Sequence, residues 1–119
     1  MRRLEGPERA GYDHIAPELA DRVRIVRVPF LAPGSSGMTI GRVVFLTSDV
    51  DRSGERELLA HELVHVRQYA EQGLVRFLIA YGRDYIVGLV RLRNHRQAYL
   101  AIPTEEAARA EARLWKQRR

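Results

Sequence analysis

Cysteine is absent from the chain, and its absence excludes disulfides, thiolate metal sites and cysteine nucleophiles. Any metal must be held by histidine and carboxylate. Lysine is nearly absent too: of 20 basic residues only Lys116 is a lysine. With 15 acidic residues the net charge is +5, which keeps a nucleic-acid-binding module in view, because arginine makes bidentate phosphate contacts. The arginines are spread along the chain, however, and cluster only in "RLRNHR" and the terminal "KQRR". A biased composition explains them as well as a binding face does. A long uninterrupted apolar run is also missing. The most apolar stretch, from Leu74 to Val90, contains Arg76, Arg83 and Asp84, costly residues at the centre of a bilayer. It reads as a buried helix, and no membrane insertion is expected. The first twenty residues lack a continuous apolar segment with a cleavage site behind it, so no secretory signal is read and a cytoplasmic location is expected.

What remains suits a single domain: 119 residues, 45% of them hydrophobic, are enough for one core and too few for two. Residues 1–20 are polar and punctuated by Gly6, Pro7, Gly11 and Pro17; they predict an irregular N-terminal arm, with the folded domain over residues 21–119. "RVRIVRVPF" predicts a short strand stopped by Pro29, and "MTIGRVVFLTS" a second, with Gly41 at a bulge or close approach. Three helices follow. Ser53 as N-cap and Gly73 as terminator frame the first. Leu74, Phe77, Leu78, Tyr81, Tyr85 and Leu89 recur at helical spacing in the second. Thr104 as N-cap after Pro103 opens the third. The expected fold class is α+β, with short N-terminal strands followed by three helices.

The first helix carries the chemistry. "HELVH" places His61, Glu62 and His65 within one quadrant, since His65 stands about 40° and Glu62 about 100° from His61 on a helical wheel. Leu59, Leu63, Val66 and Ala70 form an apolar stripe on the far side, so the histidines are not core fillers by position. Two imidazoles one turn apart can converge on a tetrahedral Zn2+, with the glutamate reaching a water beside it. A shuffle of this composition yields the pattern about one time in a hundred. Gln68, one turn beyond His65, is placed to orient an imidazole.

A third ligand must come from elsewhere. The metzincin extension needs glycine at 68 and histidine at 71, where this chain has Gln68 and Glu71. His14 lies in the polar arm and His95 in an arginine-rich connector. On the last helix Glu105 shares a face with Ala108, Ala112 and Trp115, whereas Glu106 shares one with Ala110, Arg113 and Gln117. Glu105 is therefore the preferred candidate over Glu106. Tyr99 is the candidate donor to a developing oxyanion, with Tyr81 and Tyr85 as alternatives. The Thr39 to Thr47 strand is a candidate for pairing with an extended peptide.

"HELVHVRQ", "YLAIPTEEAARA" and the upstream "MTIGRVVFL" together resemble the core domain of extracellular contractile injection systems, within the glutamate-zincin group, over roughly residues 22 to 112. The resemblance implies a minimal zincin-like fold with bound zinc. It makes His61, His65 and Glu105 the metal ligands and Glu62 the catalytic base. The expected function is a zinc-dependent metallopeptidase acting on a peptide or protein substrate. The alternative is a zinc-binding domain with a structural or partner-recognition role and negligible turnover.

Overall fold

The computed structural model describes residues 1–119. In chain order it contains helices α1 (Pro7–Gly11) and α2 (Pro17–Ala20), strands β1 (Arg24–Arg27), β2 (Gly37–Ile40) and β3 (Val43–Leu46), then helices α3 (Glu57–Gln72), α4 (Leu74–Leu92), α5 (His95–Leu100) and α6 (Pro103–Gln117). The α+β class holds, with three strands and six helices where two and three were expected.

The additional strand arises at Gly41. "MTIGRVVFLTS" is a hairpin, not one strand: Ile40 pairs with Val43 across a two-residue turn in which Gly41 has φ 62°. A turn with glycine at positive φ in its first position matches the twist of the two strands. β3 is the central strand, parallel to β1 and antiparallel to β2, giving the order β1-β3-β2. Its alternation is strict, with Val44 and Leu46 fully buried and Val43 and Phe45 only partly so. The inner face of the sheet joins Ile25, Leu59, Leu63 and Val66 in one hydrophobic cluster. The apolar stripe of α3 is thus the core side, although Ala70 at its end is exposed.

Residues 1–20 carry two short helices where irregular chain was expected, and Leu4, Tyr12, Ile15 and Ala20 sit in the same cluster as Val23 and Trp115. The Trp115 indole N–H donates to the Gly11 carbonyl at 2.9 Å, and the Tyr12 hydroxyl accepts from the Arg56 N–H at 3.1 Å. These bonds join the chain's start to α3 and α6.

Both predicted N-caps are displaced. α3 begins at Glu57 with Arg56 in the cap position and no side-chain cap. Ser53 belongs to the preceding turn, where Asp51 accepts its N–H at 3.0 Å and its hydroxyl at 2.7 Å. Ile102 caps α6, Pro103 is its first residue and Thr104 already lies inside; a proline needs no N–H partner there. Gly73 does end α3, at φ 86°, donating to the Tyr69 carbonyl. The basic connector contains α5, capped by Asn94, which accepts the Gln97 N–H at 3.0 Å.

The largest departure is α4. Of its nineteen residues only Phe77 is buried, and Val75, Ile79, Ile86 and Val90 are 61–70% exposed. The helix is long and apolar, but not enough to cross a membrane. It packs chiefly on α5 and meets only part of α3, so too little chain surrounds it to cover its outer face. The radius of gyration, 14.2 Å, slightly exceeds the roughly 13.5 Å of a compact chain of this length.

Candidate metal centre

Two helices make the centre. α3 presents His61, Glu62 and His65 from successive turns, and α6, packed along it, brings Glu105 from its first turn. The inward face of α6 is set by Ala108, Ala112 and Trp115, all buried. Glu105 is buried with them and Glu106 is exposed, the division expected from the wheel. The alanines allow α6 to approach closely.

The ligand atoms of His61, His65 and Glu105 lie within 4.8 Å of one another and could hold a metal ion. Both histidines point Nε2 at one oxygen, Glu105 Oε1, at 3.0 Å for His61 and 2.9 Å for His65. The far nitrogen of His65 is fixed: its Nδ1–H donates to Gln68 Oε1 at 2.7 Å, while Gln68 Nε2 donates to the Thr104 carbonyl at 3.1 Å. That bond leaves the Nε2 lone pair of a neutral His65 facing the cluster, as a metal ligand requires. Glu105 Oε2 accepts the Tyr81 hydroxyl at 2.6 Å. Among the candidate tyrosines, Tyr81 therefore touches a cluster member, Tyr99 stands in the wall of the adjoining cleft, and Tyr85 bonds His95 instead.

Glu62 is buried beside the cluster. Its Oε1 accepts the Thr39 hydroxyl at 2.8 Å, and Thr39 also reaches the Glu62 carbonyl at 3.1 Å. Gly37, on the same edge strand, closes the other side: a Cβ there would lie 3.0 Å from Glu62 Oε2. Sequence reasoning missed Gly37, Thr39 as a partner of Glu62, and the Tyr81–Glu105 bond. No local pattern announces them, because each depends on how separate elements cross.

The electrostatics divide the two carboxylates. Burial pushes the Glu62 carboxyl above its ordinary range, against the opposing charges of His65 and His61 and the Thr39 bond. Burial acts on Glu105 in the same sense, but bonds from His61, His65 and Tyr81 overcome it and hold that carboxyl well below its usual range. Burial disfavours charge on His65, yet its bond to Glu105 and the nearby carboxylates win and raise its pKa. A metal ion bound there would compete with a proton for the histidine nitrogens.

His14 and His95 lie outside the centre. His14 Nε2–H donates to the Ala60 carbonyl at 2.9 Å among Tyr12 and Trp115, and His95 is exposed. A cleft of about 330 Å³ opens onto His61 and Glu62, with Ser35, Gly37, Tyr99, Arg109 and Arg113 among its other walls.

Residues 30–73 match the family model described as the eCIS core domain. No curated protein and no solved structure matches the chain. The matched residues take in β2, β3 and all of α3, and so His61, Glu62, His65, Gly37 and Thr39, but not Glu105, Tyr81 or Tyr99. They amount to well under half of the chain, and over that stretch the match supports a relation to the eCIS core family.

Proposed function

We propose that the chain is a zincin-like, zinc-dependent metallopeptidase, hydrolysing peptide bonds with Glu62 as general base. The observation that carries this reading is the convergence of two imidazole nitrogens on one Glu105 oxygen, with a second, differently tuned carboxylate buried in the wall of the adjoining cleft. The donor set fits Zn2+, which favours two histidines and a glutamate with a fourth position left open to solvent. Bound there, zinc would supply Lewis acidity towards a carbonyl and lower the pKa of a water towards neutrality.

The protein's own residues then divide the work. Glu62, lining the cleft beside the cluster with its carboxylate held by Thr39, is placed to take a proton from water and return it to the leaving amine. Thr39 holds that carboxylate through Oε1, and Gly37 leaves it the room that a Cβ would take. Gln68 fixes the ring of His65, and Tyr81 anchors Glu105 from the side away from the histidines. Tyr99, in the cleft wall, is the proposed donor to the carbonyl oxygen as charge develops on it. β2 has a strand partner on one side only, but its Gly37 and Thr39 carbonyls already accept the Ser35 and Tyr69 hydroxyls at 2.9 and 3.2 Å, so a peptide pairing there as a further strand would have to displace them.

Metal analysis of purified protein tests the reading, with about one zinc per chain expected. Glu62→Gln should keep the zinc and lose hydrolysis, because an amide keeps the shape but accepts no proton. Metal-free protein whose thermal stability is unchanged by added zinc would overturn the proposal. Zinc at full occupancy with no hydrolysis of any peptide would favour the non-catalytic alternative.

A further inference from the structure

Arg109 and Arg113 stand one turn apart on α6, and both line the cleft that contains His61 and Glu62. Neither is in an ion pair. The arginines that are paired with carboxylates are Arg2, Arg9, Arg52, Arg67 and Arg83. The contrast with Arg67 is direct, since it bonds Glu111 through both terminal nitrogens. The acidic residues nearest the cleft are committed or stand apart. Glu105 is taken by His61, His65 and Tyr81, Glu62 by Thr39, and Glu57 forms no ion pair although it lines the same cleft. Arg109 donates from Nη2 to the Leu100 carbonyl at 2.5 Å, while its Nη1 is buried without a partner.

Arg109 is half-buried and Arg113 exposed where they line the cleft, and a carboxylate is the ligand that pairs best with a guanidinium. The rest of the lining points the same way. Only two of its eleven residues are hydrophobic, so the cleft offers no apolar pocket for a side chain and must select by charge and hydrogen bonding. We infer that Arg109 and Arg113 form a carboxylate-recognition subsite, so that the cleft takes peptides with an acidic side chain or a free C-terminal carboxylate close to the bond presented to Glu62. The inference rests on the hydrolase reading for the position of that bond, and on the two unpaired arginines alone for the carboxylate.

The test uses the full chain carrying Glu62→Gln, with and without added zinc. The probes are fluorescein-labelled Ala/Ser octapeptides bearing one central Glu, Gln or Lys, each with a free or amidated C-terminus. Anisotropy titration should show the Glu peptide binding about tenfold tighter than its Gln and Lys counterparts. If the amidated form keeps this advantage, the side chain is the source; if only free-acid peptides bind tightly, the terminal carboxylate is. Arg113→Gln and Arg109→Gln should each remove most of the preference. Because Arg109 also ties down the Leu100 carbonyl, the exposed Arg113 carries the test alone if the Arg109 variant fails to fold by circular dichroism. Equal binding of Glu, Gln and Lys peptides with amidated and free ends, no binding of any, or a preference that survives Arg113→Gln would overturn the inference. Wild-type protein that cleaves Glu and Gln peptides equally would sink it while leaving the hydrolase reading intact. Arginine-dependent binding of acidic peptides without any hydrolysis would do the reverse.

Discussion

Glu105 uses both oxygens: Oε1 receives His61 and His65, and Oε2 receives Tyr81. Its neighbour Glu106 is exposed and bonds to nothing in the centre. Glu105→Ala should therefore weaken zinc affinity by about 100-fold or more, since a direct ligand is lost, and Gln68→Ala by about 10-fold to 100-fold through the freed His65 ring. Glu106→Ala should change it by less than about twofold. Competition titrations against a chromophoric chelator check all three; if Glu106→Ala is the damaging change, the metal is held elsewhere than in this cluster. The choice between the two glutamates was legible in the sequence, because helical periodicity alone sorts Ala108, Ala112 and Trp115 from Arg113. The packing of Gly37 on Glu62 was not legible, because it joins a strand and a helix across 25 positions. A Cβ at position 37 would stand 3.0 Å from Glu62 Oε2 and 3.1 Å from its Cγ, tighter than relaxed packing allows. Gly37→Ala should displace the Glu62 carboxylate and lower kcat by about 10-fold to 100-fold, a misplacement effect, while zinc content stays at wild-type level. Full activity in that variant would show that Glu62 has room to move.

At the scale of elements, periodicity identified α4 but not its surroundings. Leu74, Phe77, Leu78 and Tyr81 recur as an inward-facing helix should, yet Val75, Ile79, Ile86 and Val90 lie within about 60° of one another on the opposite side, and all four are exposed. A sequence pattern says which residues share a face. It does not say how much chain is available to cover a second one. The hairpin was missed for a related reason, since Gly41 is followed by Arg42 and not by the Asn-Gly or Asp-Gly pair that usually marks a two-residue turn. The two faces of α4 predict different costs. Phe77, 3% exposed and packed against Tyr69 at a ring separation of 3.9 Å, should cost about 3–5 kcal/mol when changed to alanine. Ile79→Glu, on the exposed side, should stay within about 0.5 kcal/mol of wild type. Urea denaturation of dilute protein compares them, and a large loss for Ile79→Glu would mean that the outer face is covered in solution.

At the scale of the whole molecule, His14 connects the chain's first segment to the motif helix. Its Nε2–H donates to the carbonyl of Ala60, the residue before His61, and its ring packs on Trp115 near the C-terminus. Because Nε2 carries the proton, Nδ1 holds the lone pair, and Nδ1 is buried with no partner. Protonation would place an unpaired charged N–H in the core. Burial accordingly lowers the His14 pKa from 6.5, the nearby Arg67 charge acts in the same sense, and neither the Ala60 bond nor the charges of Glu111 and Asp13 reverse this. A lowered histidine pKa means that the unfolded chain binds its proton first as pH falls, so the unfolded state gains. The His14 contribution is fully present above about pH 6.5 and declines below it, down to the native pKa. His65 acts in the opposite sense, its raised pKa giving stability that is lost as pH rises, so wild-type data alone mix the two. His14→Gln retains a donor for the Ala60 carbonyl but does not titrate, and the difference between wild type and this variant isolates His14. Urea unfolding at steps between about pH 5 and 8 should show the wild type losing its advantage over His14→Gln as pH drops. A constant difference across that range would mean that His14 titrates alike in both states, and that the segment before β1 opens readily enough to let its ring reach water.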